Sequence, residues 1–565
     1  MNLSPETKIA GVLAPLFGLR SENDLGIGDV SVLREFIDWA SEIGFKLVQL
    51  LPINEMGGDN SPYNAISAVA IEPTTLHLAP GSPPDLTRED FDAVLADVDL
   101  AKLRHNGVKY ERVKRLKRRL LEKAFAHFSA HASEDRQLEF QTFCVDESVW
   151  LDDYAFFREL MEENGETEAW DKWPAEQQQI ESARAWLDRQ SPEKGKQFFE
   201  REMFFRYVQW VAHHQWSAVK SYAEERGVAL MGDIPFGVSY YSADVFARTN
   251  EFRLDWNGGA PPESYFKDDE FTQKWGQNWG IPLFRWDTMR ERNFDWWRQR
   301  VRNVRRRFHL FRIDHVLGFY RIYAFPWRPR ENRNFLPLDW NQMLERTGGR
   351  APHFDPRDDA TPENCEANRR EGEECLRVVL EESGNSRLIG EDLGTVPDYV
   401  RPDLRSLNIA GFKIPQWEFY HGRVTPGGEY ERLSVATYAT HDHKPTRALW
   451  EEVFGKATST SDQSRSDLEK VANFAGFNQT PEQNDFERDF YPVIMKALFE
   501  SNSWIAVVMI TDLLARKYRF NVPGTAASSN WVRRMQRTVT DLRSSPTERR
   551  RMKLIHELLE KTGRA

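Results

Sequence analysis

Cysteine is scarce in this chain. There are three in 565 residues, Cys144, Cys365 and Cys375, far apart from one another. That excludes a disulfide framework and a thiolate-rich zinc site, and it fits a reducing, cytoplasmic compartment. Long apolar runs are lacking too. The longest clear one, Trp504 to Ile510, is far too short to span a bilayer, so no membrane partner is expected. The stretch Met1 to Lys8 lacks the basic-then-apolar pattern of a signal peptide. Basic charge is not in excess: 76 Lys and Arg face 87 Asp and Glu, a formal net charge of −11, which argues against nucleic acid as the main partner. The glycines of Asp24-Leu25-Gly26-Ile27-Gly28-Asp29 do not have the spacing of a dinucleotide or phosphate loop. Nothing in the sequence sets an oligomeric state.

Aromatic residues, in contrast, are abundant at 13%, with 19 Trp. They suit stacking against sugar rings, but they also fill cores. Length alone allows two to four domains or one barrel with insertions. Periodicity narrows the choice. Apolar runs predict strands at 11–16, 46–51, 228–234, 310–314, 387–392, 411–416, 434–440 and 504–511. Most are separated by a helical pattern or by an insertion large enough to hold one. Leu33, Phe36, Ile37, Ala40 and Ile43, for example, predict a helix over 30–43, stopped by Gly44. Eight such alternations predict an α/β fold, a (β/α)₈ TIM barrel. The expected organisation is one catalytic domain over 1–565, with large, mainly helical insertions after strands two and three and no C-terminal β-domain. One insertion, about 80–200, reads as helical, and its basic run Lys114 to Arg119 reads as a solvated helix face. The other, about 236–290, is rich in Gly, Pro, Trp and Asn and reads as a long irregular active-site loop.

The chemistry is concentrated at strand ends. In Leu310-Phe311-Arg312-Ile313-Asp314-His315 the period of two points Arg312 and Asp314 the same way. A barrel would put that pair at its carboxyl-end mouth, where Arg312 would hold Asp314 ionised. A purely structural Arg–Asp pair is the plain alternative. Glu391 ends the next strand, Asp442 follows strand seven, and Asp233 ends strand three. Carboxyls on adjacent strands about 5 Å apart have the geometry of a retaining glycosidase. Asp314 would then attack, and Glu391, with a raised pKa, would protonate the leaving oxygen. Asp442 would stabilise the positive transition state, with His441 hydrogen-bonded to the same ring. Other readings stay open. Asp442 could cap a helix near Thr446, and His441-Asp442-His443 could bind a metal, although sequential residues rarely converge on one ion. Glu391 and its neighbours could hold magnesium, but no lysine-bearing phosphate loop accompanies them.

Seven motifs in order carry a family resemblance over most of the chain. Phe311-Arg312-Ile313-Asp314-His315, Gly390-Glu391-Asp392-Leu393-Gly394 and Thr440-His441-Asp442 resemble the catalytic motifs of the amylomaltases, the 4-α-glucanotransferases of glycoside hydrolase family 77. Ser61-Pro62-Tyr63-Asn64 and Gly232-Asp233-Ile234-Pro235 resemble that family's substrate-loop and strand-three motifs. Gly259-Ala260-Pro261-Pro262 with Gly276-Gln277-Asn278-Trp279-Gly280 is similar to its long active-site loop, and Asn521, Pro523, Gly524 and Asn530-Trp531 to its C-terminal signature. The resemblance implies Asp314 as nucleophile, Glu391 as acid/base and Asp442 as transition-state stabiliser. It implies Tyr63, Asp233, Arg312, His315 and His441 as substrate-binding residues. It also implies no cofactor and no resident metal, with maltooligosaccharides, glucose, and glycogen or starch as substrates. A hydrolase with the same carboxylates is the nearest rival activity. Transfer needs an acceptor site that excludes water, expected at the 250–285 loop, with Tyr265, Phe266, Trp275 and Trp279 as platforms or else as packing anchors. Two departures stand out. Pro261-Pro262-Glu263-Ser264-Tyr265 is one residue longer before its aromatic pair than the usual pattern, and Leu317 sits where many members carry Arg.

Overall fold

The computed structural model describes residues 3–263, 269–455, 461–477, 484–523 and 528–565. Eight parallel strands form its centre: β1 (Ile9–Leu13), β2 (Leu47–Gln49), β3 (Ala229–Pro235), β4 (Leu310–Asp314), β5 (Arg387–Gly390), β6 (Gly411–Lys413), β7 (Ser434–Ala436) and β8 (Ile505–Met509). All eight lie where the apolar runs predicted them. The spatial order is β6-β7-β8-β1-β2-β3-β4-β5. β1 and β8 are buried along their whole length and pair from Ile9 with Ile505 to Leu13 with Met509. Burial on both faces is why these strands read as continuous apolar runs rather than as alternating ones.

The seam between β5 and β6 has only a single parallel bridge, Ile389 with Ala410, where the Gly390 N–H donates to the Ala410 carbonyl at 2.9 Å. A side chain extends the closure: the Phe412 N–H donates to the Asp392 carboxylate at 2.6 Å. A Cβ on Gly411 would stand 2.7 Å from that carboxylate, so this close approach needs glycine. The result is a nearly closed (β/α)₈ barrel. Among the described residues, no strand follows β8.

Local chemistry explains the elements around it. The helix Val30–Ile43 begins at Asp29, whose carboxylate accepts from the Ser31 and Val32 N–H groups, and ends at Gly44 with φ of +101°. The segment after β2 is helical, with helices from Arg88–Leu95 through Tyr110–His131 and Ser148–Glu163 to Pro192–Glu225. The basic run in it is not simply a solvated face. Lys117 is buried, donating to the Thr74 and Leu76 carbonyls at 2.6 Å each and to Asp29 at 3.4 Å. It ties the insertion to the first barrel helix.

The segment after β3 differs from the irregular loop that was expected. Phe252–Ala260 and Gln277–Phe284 are paired antiparallel strands, joined through Phe252–Ala260 to Ile322–Phe325 and then to His353–Asp355, so a third insertion follows β4. This four-stranded sheet has a small core of its own, Trp275, Phe325, Trp327, Phe335 and Met343. Register shifts between Arg253 and Asn257 and between Gly258 and Gly259 break its alternation, which is why its strands were not legible. Trp275 is accordingly a packing anchor and not a platform.

Candidate active site

The carboxyl ends of β3, β4 and β5 meet at Arg312. The register pairs Asp233 with Arg312 and Ile313 with Gly390, so three neighbouring strands bring Asp233, Arg312, Asp314 and Glu391 to one level of the mouth. Arg312 Nη1 donates to both Asp233 oxygens, at 2.8 and 2.6 Å. Its Nη2 donates to Asp314 at 2.6 Å and stands 3.9 Å from Glu391. The Asp314 and Glu391 oxygens therefore lie no farther apart than the sum of those last two distances. That sits below most of the inverting range of about 6.5–9.5 Å and accommodates the retaining separation of about 5–5.5 Å.

Each carboxyl has a different environment. Burial pushes the Glu391 carboxyl up to about 8, with Arg312 opposing the rise and the Asp314 charge adding to it. Its Oε2 accepts the His315 N–H at 2.7 Å, a contact made because His315 takes a left-handed turn with φ of +51° just after the strand. Asp442 shows the opposite balance. Desolvation by its walls works against its charge, yet His441 at 3.1 Å and Asn521, donating at 2.6 Å, hold it well below the usual carboxylate range. His441 is correspondingly raised by Asp442, against its own burial. Asp233 is raised, first by burial.

Part of the wall is aromatic. Tyr63 stacks on His441 with ring centroids 4.8 Å apart, and its hydroxyl donates to Asp233 at 2.7 Å. Trp531 leans on both rings, at 5.9 and 5.8 Å. Trp279, 38% exposed, meets His315 edge-on at 4.7 Å. These groups line a cavity of about 1490 Å³. That exceeds the roughly 300–1000 Å³ of ordinary small-molecule pockets and suits a chain of several rings.

Of the residues picked from sequence, Tyr63, Arg312, Asp314, His315, Glu391, His441, Asp442 and Trp279 line this cavity. Asp233 does not. It lies behind the wall, fully engaged by Arg312 and Tyr63, and orients them. Tyr265 and Phe266 lie outside the described residues. Asp442 is not a helix cap: the Thr446 N–H and hydroxyl both donate to Asp512, at 2.7 Å. Nor do the three residues of the His441-Asp442-His443 triplet converge on one point. His441 turns to Asp442 and Tyr63, whereas His443 turns its Nδ1 to Thr440. Among the described residues, no group of three or more His, Cys, Asp or Glu is placed to hold a metal ion. Sequence reasoning missed the work of Asn521 and Trp531. Their only signal was a place in a C-terminal motif, and their partners are 79 or more residues away.

Residues 14–540 match the family model described as 4-alpha-glucanotransferase. A 4-alpha-glucanotransferase of Chlamydia caviae is 31% identical over 547 residues, covering 94% of this chain and 91% of that protein. A rice 4-alpha-glucanotransferase is 33% identical over 331 residues, covering 56% of this chain and 32% of its own. The fold is that of a Streptococcus agalactiae amylomaltase solved with acarbose, at a TM-score of 0.73 and 22% identity, covering 99% of this chain and all of that one.

Proposed function

The chain belongs to the 4-alpha-glucanotransferase family, glycoside hydrolase family 77, and from that premise we propose a retaining transfer through a covalent glycosyl-aspartate. Asp314 attacks the anomeric carbon of an α-1,4-linked glucan as Glu391 gives its proton to the departing oxygen. The C1–O bond breaks, a C1–Asp314 ester forms, and Glu391 is left as a carboxylate. An acceptor 4-hydroxyl then loses its proton to Glu391 and displaces Asp314, restoring both carboxyls. Asp442 faces the positive charge that develops at the ring, with His441, Tyr63 and Arg312 holding the sugar and Asp233 holding Arg312. Trp279 shelters the acceptor from water.

One observation carries the reading. Glu391 shares the Arg312 guanidinium with Asp314, and its carboxyl is pushed up to about 8, so it keeps a donatable proton at neutral pH. The substrates we assign are maltooligosaccharides and glucose, with glycogen or starch as larger glucans. The whole chain acts as one catalytic unit, and the three free, dispersed cysteines favour the cytoplasm.

The test is incubation with maltotriose, sizing the products and following free glucose. A ladder of longer oligomers, lost in Asp314→Asn by about 10⁴-fold, is expected. Glucose and maltose without a ladder would make the enzyme a hydrolase on the same carboxylates.

A further inference from the structure

Arg321 stands on the same post-β4 segment as Asp314. It follows the short 3₁₀ turn Val316–Phe319 and precedes the strand Ile322–Phe325. Its N–H donates to the Leu317 carbonyl at 3.0 Å, which places both residues on the cavity wall. Its side chain is only 10% exposed. The guanidinium lies 3.6 Å above the Phe354 ring, and its Nε stands 2.5 Å from Asp359. Asp359 is itself fixed by the Tyr399 hydroxyl and the Asn368 amide, each at 3.0 Å. Yet among the described residues Arg321 Nη1 has no hydrogen-bond partner.

A buried guanidinium with an unpaired N–H is costly to keep unless something pairs with it. This one is stacked and clamped, so it loses little freedom when a ligand arrives. It is also already neutralised by Asp359, so an anionic ligand would gain little from it. A hydroxyl-rich neutral ring fits better. The location says which ring. The Leu393–Val400 segment that follows Glu391 lines the same cavity, and its Tyr399 shares Asp359 with Arg321; the leaving and incoming sugars lie on the side of the acid/base. Tyr63 and His441 lie instead around Asp442.

We propose that Arg321 is a specificity-determining residue for the acceptor. A small turn of the guanidinium within its stack on Phe354 lets Nη1 donate to a hydroxyl of the glucosyl unit beyond Glu391. This rests on the transferase reading, and the experiment separates the two. α-Maltotriosyl fluoride serves as donor, because fluoride leaves without occupying the acceptor side. Fluoride release is followed against increasing maltose, with the transfer products quantified. In Arg321→Leu the KM for maltose should rise about 10-fold more than the KM for the donor, and the hydrolytic share of product should grow. Arg321→Lys keeps the ion pair with Asp359, and with it the fold, but loses the planar fork, so it should show the same split at about half the size on a logarithmic scale. An unchanged maltose KM in a folded Arg321→Lys and Arg321→Leu would overturn the proposal and leave Arg321 a packing residue. If wild-type protein released fluoride without forming any transfer product, the transferase reading itself would fall instead.

Discussion

Arg312 and Arg564 sit at opposite ends of one barrel. Both are buried, and both gather several acceptors, but of different kinds. Arg564 lies at the amino-terminal floor, donating to the backbone carbonyls of Ile9, Phe499, Ser501, Ser503 and Trp504 at 2.6–3.2 Å. With no carboxylate partner among the described residues, burial pushes its pKa down to about 10, low for a guanidinium but still charged at neutral pH. Arg312 lies at the carboxyl-terminal mouth among Asp233, Asp314 and Glu391, whose charges raise it further against its burial. Carbonyls cannot titrate, so the floor is a fixed joint between the chain terminus, β1 and the start of β8. Carboxyls can, so the mouth is a proton reservoir held in place by a permanent cation. The same residue type serves stability at one end and chemistry at the other, which is the division of labour expected between the faces of such barrels.

The strongest way to test the contrast is at the mouth. Glu391→Gln cannot donate a proton, and transfer from maltotriose should fall about 10³-fold with little loss of fold. In the wild type, kcat/KM should decline as pH rises through about 8, because the protonated form of Glu391 is the one that acts. A pH profile flat to 10 would remove Glu391 from that role. At the floor the effect should be of another kind. Arg564→Met strands several buried carbonyls and should cost about 3 kcal/mol of stability, read as a lower Tm and denaturation midpoint, while kcat of the folded protein stays near wild type. A large drop in kcat with unchanged Tm would dissolve the contrast. The smallest expected effect is a shift at the mouth. Asn521→Ala removes one of the donors that keep Asp442 ionised, leaving His441, so Asp442 moves upward. Activity is lost as pH falls through that value, so the acidic limb of the profile should move to higher pH, with about a 10-fold loss at neutral pH.

How legible each end was follows from range. At the mouth, Arg312 and Asp314 are two residues apart, and strand alternation alone put them on one side. Asp233 also belonged to a readable strand end, but its place behind the wall, serving Tyr63 and Arg312, was not readable. At the floor nothing announced Arg564: a single arginine next to the last residue carries no pattern, and its five carbonyl partners come from two distant segments. The basic helix that reads as solvated hides Lys117, because charge composition does not say which turn faces the next element.

The sequence by itself determined the eight strands, their parallel sense and the acids at their ends. Burial on both faces leaves short apolar runs whose alternation with helical patterns marks them as parallel strands, and the period of two fixes which neighbours share a face. Tertiary structure decided the rest. It closed the barrel through Asp392, turned bulged strands into a second sheet, and brought Asn521 and Trp531 to Asp442 and Tyr63. Those contacts join segments from 20 to more than 400 residues apart, and local periodicity carries no information about where distant segments meet.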